Sequence, residues 1–471
     1  MQVSDFEEIV YSAGLTPPTA SNIEFTHDEQ IWRSSLKLAA GTSTALAMVA
    51  SAIDDIWAQK TGNRQNIKIN MTHAALTISG MWLLRVNGMP AIEALQTGDG
   101  DPTFGEYECA DGIKIYLHNQ LMHLAEATAA VLGSELDPES IKKAVRKWSA
   151  NDLEAALTAK GLPGLILRTP DEWLQHPQGK ILADTAVVDI EQIGEGPIVP
   201  LPEGLRPLSN LRVIDSTRVL AGPTISRTLA EFGADVTHIG SPNVPTIEAA
   251  AQADTGHGKR RAHIDLESPT GIKVLKELIS QADVFSQSYR AGSLAARGFG
   301  PNDLARQRPG IIYVSENAYG QDGPWREKRG FDGNVQAATG ITYLQNQHTP
   351  PDGTPRGERH VAMAMNDYCT GYWGAFGVLE ALKMRAQIGG SWHVKVSLGQ
   401  TASWYLRMGA VLDPAKGLTA EKIIELTSQY VEEHESDYGV LQRLRPVINM
   451  SETTPHWVGR TVLPGAHTPN W

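Results

Sequence analysis

One carboxylate stands at the head of an apolar stretch. In "NDYCTGYWGAFGVLEALKM" (366–384), Asp367 precedes a helical period that is apolar almost all round, with Glu380, Lys383 and Gln387 as a narrow polar stripe. Such a helix is expected to be buried. A carboxylate at its start has two uses. It caps the free N–H groups of the first turn. Or, kept ionised by the helix dipole, it attacks an acyl carbonyl as a nucleophile. Other groups suit an anion. "GHGKRRAH" (256–263) sets Lys259, Arg260 and Arg261 after a glycine, a pattern for phosphate or for a solvated charge run. "RVLAGP" (218–223) is a turn of the kind that meets phosphates in α/β proteins, or a tight turn with Val219 buried. Cys369 is expected as a packed small side chain rather than a second nucleophile. The histidines show no metal-ligand spacing, so no metal site is expected.

Regular elements must position these groups. "LRVIDST" (211–217) is a β-branched strand signal, "TISRTLAEFGA" a helical period and "DVTHIG" (235–240) a second strand. This is a βαβ unit. It continues through helix "SPTGIKVLKELISQA", strand "DVFSQS" and strand "GIIYVSENAYG". A doubly wound, Rossmann-like α/β large domain follows. Earlier, "GEYECADGIKIYLHN" signals a hairpin with "DG" as its turn, and helices are expected at 120–133, 138–148 and 151–160. That is a smaller α+β domain. "TAEKIIELTSQYVEEHES" is expected to form an added amphipathic helix. The resulting domains are 1–82, a partial repeat of large-domain elements; 83–195, the small domain; 196–207, a Pro/Gly-rich linker; 208–404, the catalytic domain; and 405–471, a helix and tail.

The repeat has its own consequence. "IKINMTHAA" (67–75) matches "VKVSLGQTA" (394–402) in pattern, and each follows an Ala-rich or apolar helix and a glycine turn. The place of Asp367 in the first copy is Ala40, or Ala39 if a one-residue gap falls in the turn. Neither alanine is a nucleophile. The first copy is expected to be scaffold and the second to carry the chemistry.

The chain has 471 residues, 41% hydrophobic and 20% charged, with a formal charge of −12. The acidic balance argues against nucleic acid or a membrane surface as partner. No apolar run reaches the roughly 18–20 residues of a membrane span. Two distant cysteines, Cys109 and Cys369, make no disulfide framework. The N-terminus is acidic and unlike a signal peptide. A cytoplasmic location is expected.

Residues 208–404 resemble CoA-transferase family III almost without gaps, through "LRVIDSTRVLAGPTISRTLAEFGADVTHIG", "YRAGSLAARGFGPNDLARQRPGIIYVSENAYGQDGPW", "RGFDGNVQAATG" and the Asp367 segment. The group includes formyl-CoA transferase, carnitine CoA-transferase and α-methylacyl-CoA racemase. Residues 25–195 resemble the later half of a member, so the order is rotated, as a trimmed tandem duplication would leave it. The resemblance implies the family fold, a homodimer, and a CoA-transferase using an acyl-CoA and a carboxylic acid, with no tightly bound cofactor. It implies Asp367 as the covalent nucleophile. Toward CoA it implies Arg218, Val219, Ala221, Lys259, Arg260, Tyr289, Arg290, Arg297 and Asn317. Departures are visible. Gly240 and Ser241 stand where members carry an acid and an arginine, and Ala296 displaces an arginine to Arg297. Phe331 replaces the histidine of the racemases and cannot transfer protons, which favours transfer over racemisation. Racemase or lyase chemistry and a non-catalytic CoA-binding subunit remain the alternatives.

Overall fold

The computed structural model describes residues 1–18, 22–96, 100–243, 249–290, 292–347 and 364–471. Its main sheet has seven strands, in the order Lys259–His263, Asp235–Gly240, Arg212–Ser216, Val284–Gln287, Ile312–Asn317, Ser391–Ser397 and Asp189–Gly194. The first six are parallel, and the sheet begins from the middle and winds outward both ways, as in doubly wound proteins. The last is an antiparallel edge strand supplied by residues that precede the linker. The expected strands and intervening helices are therefore present. The expected hairpin also forms: Gly105–Glu108 pairs with Lys114–Leu117, which pairs with Gly164–Ile166. The nearby helices are Met122–Leu132, Pro138–Val145 and Ala150–Ala159, around a core of Ile115, Ile141 and Leu153.

The Asp367 helix, Met365–Ile388, is 24 residues long and buried along most of its length. It lies against helix Ala221–Glu231 because its contact face carries glycines. A Cβ on Gly371 would stand 2.5 Å from Thr224, and one on Gly374 would stand 2.5 Å from Ile225. Ordinary side chains there would push the helices apart.

The repeat is built to the residue. Helix Leu38–Thr61 also has 24 residues. The starts Leu38 and Met365, the end caps Gly62 and Gly389, and the next helix caps Asn70 and Ser397 all keep the 327-residue separation of Thr42 and Cys369. No gap intervenes, so Ala40 is the counterpart of Asp367. Thr42 and Cys369 touch, Oγ1 to Sγ 3.6 Å, as equivalent residues do beside a two-fold axis. The sheets are exchanged crosswise. Strand Asn66–Asn70 pairs in parallel with Asn22–Thr26 and antiparallel with Ile448–Met450 from the end of the chain. Strand Ser391–Ser397 is flanked in the same way by Ile312–Asn317 and by Asp189–Gly194. One apolar core joins the two copies, running from Phe6 through Ile53 and Trp373 to Met450.

One expectation fails. The amphipathic helix after residue 419 stops at Thr427, and "VEEHES" is a strand. Val431–Ser436 pairs with Gly439–Leu444 across a turn at Gly439, where φ is +113°. Glycine alone adopts that conformation readily, and "SDYG" was the overlooked turn signal. Among the described residues, no helix is long and apolar enough to cross a membrane.

Candidate active site

The first βα turn lies at the carboxyl end of strand Arg212–Ser216. Asp215 there is fully buried. Burial opposes its ionisation, yet Lys259, His238 and hydroxyl donors hold the carboxyl down at about 2. Lys259 Nζ donates to it at 2.9 Å and Ser226 Oγ at 2.5 Å; Thr217 Oγ1 also donates. Thr217 N–H donates to Asp215 as well, at 3.1 Å, and so turns the chain at the end of the strand. Val219 takes the strain, with φ at +69°. A β-branched residue in that region is an outlier, and such strain gathers at functional sites. Val219 borders three cavities in succession.

The first, about 70 Å³, is lined by His238, Gly240, Ser241, Lys259, Arg261 and Tyr289. The second, about 340 Å³, holds the cations. Arg218, Arg290, Arg326, Lys328 and Arg329 line it with Ala221, Tyr289, Glu316, Asn317 and Asp367. The third, about 220 Å³, has Trp82, Phe104, Tyr116 and Phe331 in its wall, together with His118, Asp332 and Asp367. Asp367, Val219 and Phe331 border both larger cavities.

The first turn of the Asp367 helix is capped by a second carboxylate, that of Asp332. The amides of Asn366 and Asp367 donate to Asp332 Oδ2 at 2.8 and 3.0 Å. Asn366 Nδ2 and Gln336 Nε2 donate to Asp332 Oδ1. Burial pushes the Asp332 carboxyl above the ordinary range, and these donors oppose that rise. Phe331 N–H donates to Asn334 Oδ1 at 2.9 Å and so opens helix Asp332–Thr339. "RGFDG" thus supplies both the aromatic wall and the cap. Cys369 is walled in: its Sγ lies 3.0 Å from Tyr405 Oη, and burial pushes its thiol up to about 11. Ala39 and Ala40 line a separate cavity of about 330 Å³, with alanine in the carboxylate's place.

The candidate residues do not all gather. Arg218, Val219, Ala221, Tyr289, Arg290 and Asn317 line the second cavity beside Asp367. Asn317 closes its own turn, donating to the Gly320 carbonyl and accepting from Gly320 N–H. Lys259 borders only the first cavity, and its ammonium is committed to Asp215 and the Pro223 carbonyl. Arg260 lines none of these cavities. Side chains alternate along a strand, so Lys259 and Arg261 face inward while Arg260 turns out to Asp235, 3.1 Å away. Arg297 sits on an exposed 3-10 turn, bonded to the Ser293 carbonyl, and also lies outside the cavities. The missed cations are in "REKRG" (326–330), directly before Phe331. Their charge density was the available signal. Also missed were His118 and the aromatics Trp82, Phe104 and Tyr116, which reach the site from the far side of the chain.

Residues 208–428 match the family model described as CoA-transferase family III. An acyl-CoA transferase of Gibberella moniliformis is 34% identical over 312 residues, covering 62% of this chain and 54% of that protein. An acetyl-coenzyme A transferase of Hypoxylon pulicicidum is 29% identical over 424 residues, covering 80% and 70%. The chain thus spans little more than half the length of the first of these relatives. Among solved structures, a CAIB/BAIF family protein from Brucella suis is 24% identical with a TM-score of 0.39, covering 50% of this chain and 65% of that one.

Proposed function

We propose that this chain, whose residues 208–428 match CoA-transferase family III, moves CoA from an acyl-CoA thioester to a carboxylic acid by way of Asp367. The observation that carries this is the position of Asp367 on the border between a cation-lined cavity and an aromatic one. An acyl-CoA has the same division, with phosphates at one end and an acyl group at the other. Arg218, Arg290 and Arg329 would meet the phosphates, where guanidinium forks suit the oxygens. The adenosine would approach the carboxyl ends of the strands beside Gly240 and Ser241, where the small cavity opens.

In the proposed steps the Asp367 carboxylate attacks the thioester carbonyl and the CoA thiolate leaves, forming a mixed anhydride. The thiolate attacks the Asp367 carbonyl of that anhydride, and the donor acid departs. The acceptor carboxylate attacks the resulting aspartyl thioester, and the thiolate leaves again. It then attacks the acceptor's carbonyl, which frees Asp367. The helix dipole helps keep Asp367 ionised. Asp332 accepts two of the first-turn amides and so holds the backbone that presents Asp367.

Incubation with acyl-CoA and hydroxylamine, followed by peptide mass analysis, tests this. A hydroxamate at Asp367 is the expected product. A second reading, racemisation at Cα, draws on His118, which borders the aromatic cavity with Asp367. It requires solvent deuterium at Cα without any adduct.

A further inference from the structure

The aromatic cavity narrows the substrate class. Resting on the transfer reading above, we infer that the exchanged acids are monocarboxylates with an apolar body of about six to eight carbons, and not dicarboxylates. Trp82, Phe104, Tyr116 and Phe331 supply the wall of this 220 Å³ space. The His118 ring continues it, 5.0 Å from Phe104 and 5.4 Å from Phe331 between centroids. An apolar cavity of about 150 Å³ accepts benzene, so this one holds a larger body. Among the described residues, no lysine or arginine lines it, and its carboxyls are Asp367 and Asp332. Among the described residues, a second carboxylate on the substrate would meet no lysine or arginine there and would lie beside Asp332. Burial of an unpaired charge is strongly unfavourable. The cations stand instead on the other side of Asp367, where the thioester's CoA end would lie.

The test compares hexanoyl-, octanoyl- and phenylacetyl-CoA with succinyl-CoA as donors, each with a matching acid as acceptor. The native chain is expected to favour the monocarboxylates in kcat/KM by at least about 30-fold. Phe104 is partly exposed, so Phe104→Arg adds a cation at little cost to folding. It should narrow that preference at least about tenfold. Phe104→Ala brings no charge and gives a second readout: KM for hexanoyl-CoA rises at least about threefold while inhibition by free CoA is unchanged. An Asp367 adduct with succinyl-CoA turned over equally well would overturn the monocarboxylate inference and leave transfer standing. Unchanged preference in Phe104→Arg, or unchanged KM in Phe104→Ala, would also overturn it. No adduct from any donor would sink both.

Discussion

The Asp332 carboxylate accepts the backbone N–H of Asp367 at 3.0 Å, so one aspartate caps the helix on which the other is presented. Asp332 thus supplies a cap to the helix that carries the proposed nucleophile. Asp367→Ala is expected to abolish transfer, by roughly 10⁴-fold or more, as loss of a covalent nucleophile does. The melting temperature should change by only a few degrees. Calorimetry and a transfer assay on the same preparation check both halves. A collapse in stability with activity retained would return Asp367 to a capping role.

Asp332→Ala should behave in the opposite way. It removes the acceptor for two amides, Asn366 Nδ2 and Gln336 Nε2. A lost cap and buried unsatisfied donors together cost about 2–4 kcal/mol. Because Asp367 is then less well held, kcat should fall more than KM rises. Denaturant unfolding gives the first number and steady-state kinetics the split.

The two basic neighbours on strand Lys259–His263 separate cleanly. Lys259→Met leaves Asp215 buried without its cation and should cost about 3–5 kcal/mol. Adding Asp215→Asn to it should recover much of that loss. Arg260→Ala breaks a half-exposed pair with Asp235, so stability should change by less than about 1 kcal/mol. KM for acyl-CoA should not move either, because Arg260 lies outside the cavities. Arg290→Ala should raise KM and weaken its dependence on salt.

Stability should fall as pH rises through the neutral range. Burial pushes Glu316 up to about 8, with no hydrogen bond or ion pair to it among the described residues, and Glu231 is likewise pushed up to about 8. In each case the folded protein holds a proton that the unfolded chain, titrating near 4.5, has released. At these two sites the native state binds more protons between those values, so their contribution is lost as pH climbs from 4.5 toward 8. Buried His73, His176, His238 and His393, pushed down from 6.5 to about 3 or 4, act the opposite way below 6.5, so the fall is expected above it. Each pK unit is worth about 1.4 kcal/mol at most. Glu316→Gln imitates the neutral form and should flatten part of that slope. Chemical unfolding at several pH values measures it.

Among the described residues, one chain supplies both walls of the aromatic cavity. Trp82, Phe104 and Tyr116 come from before the linker, and Asp332 and Asp367 from after it. Specific activity should therefore be independent of protein concentration across dilution, whatever the oligomeric state. Activity that fell with dilution in step with light-scattering mass would contradict this.

Much of the large sheet was legible where its strands are short β-branched runs followed by a helical period or a turn; "KRRAH" (259–263), with no β-branched residue, read as a charged loop and is a strand. Asp367 was legible from its contrast with the apolar helix behind it. Ala40 as its counterpart needed the structure, since a gap in a glycine turn leaves no trace in local pattern. Arg260 was misplaced for a related reason. Three consecutive basic residues look equivalent in a sequence, but strand alternation turns the middle one away.

The sequence by itself determined the elements, the duplicated helix–turn–strand unit and the carboxylate that only one copy carries. These follow from periodicity, glycine placement and side-chain type, which act over a few residues. The tertiary structure alone decided that each copy's trailing strand completes the other's sheet. It also decided that Asp332 caps the helix on which Asp367 stands, and that an aromatic wall from early residues faces cations from late ones. Those are contacts between segments hundreds of residues apart, and no local pattern encodes which surfaces meet once the core closes.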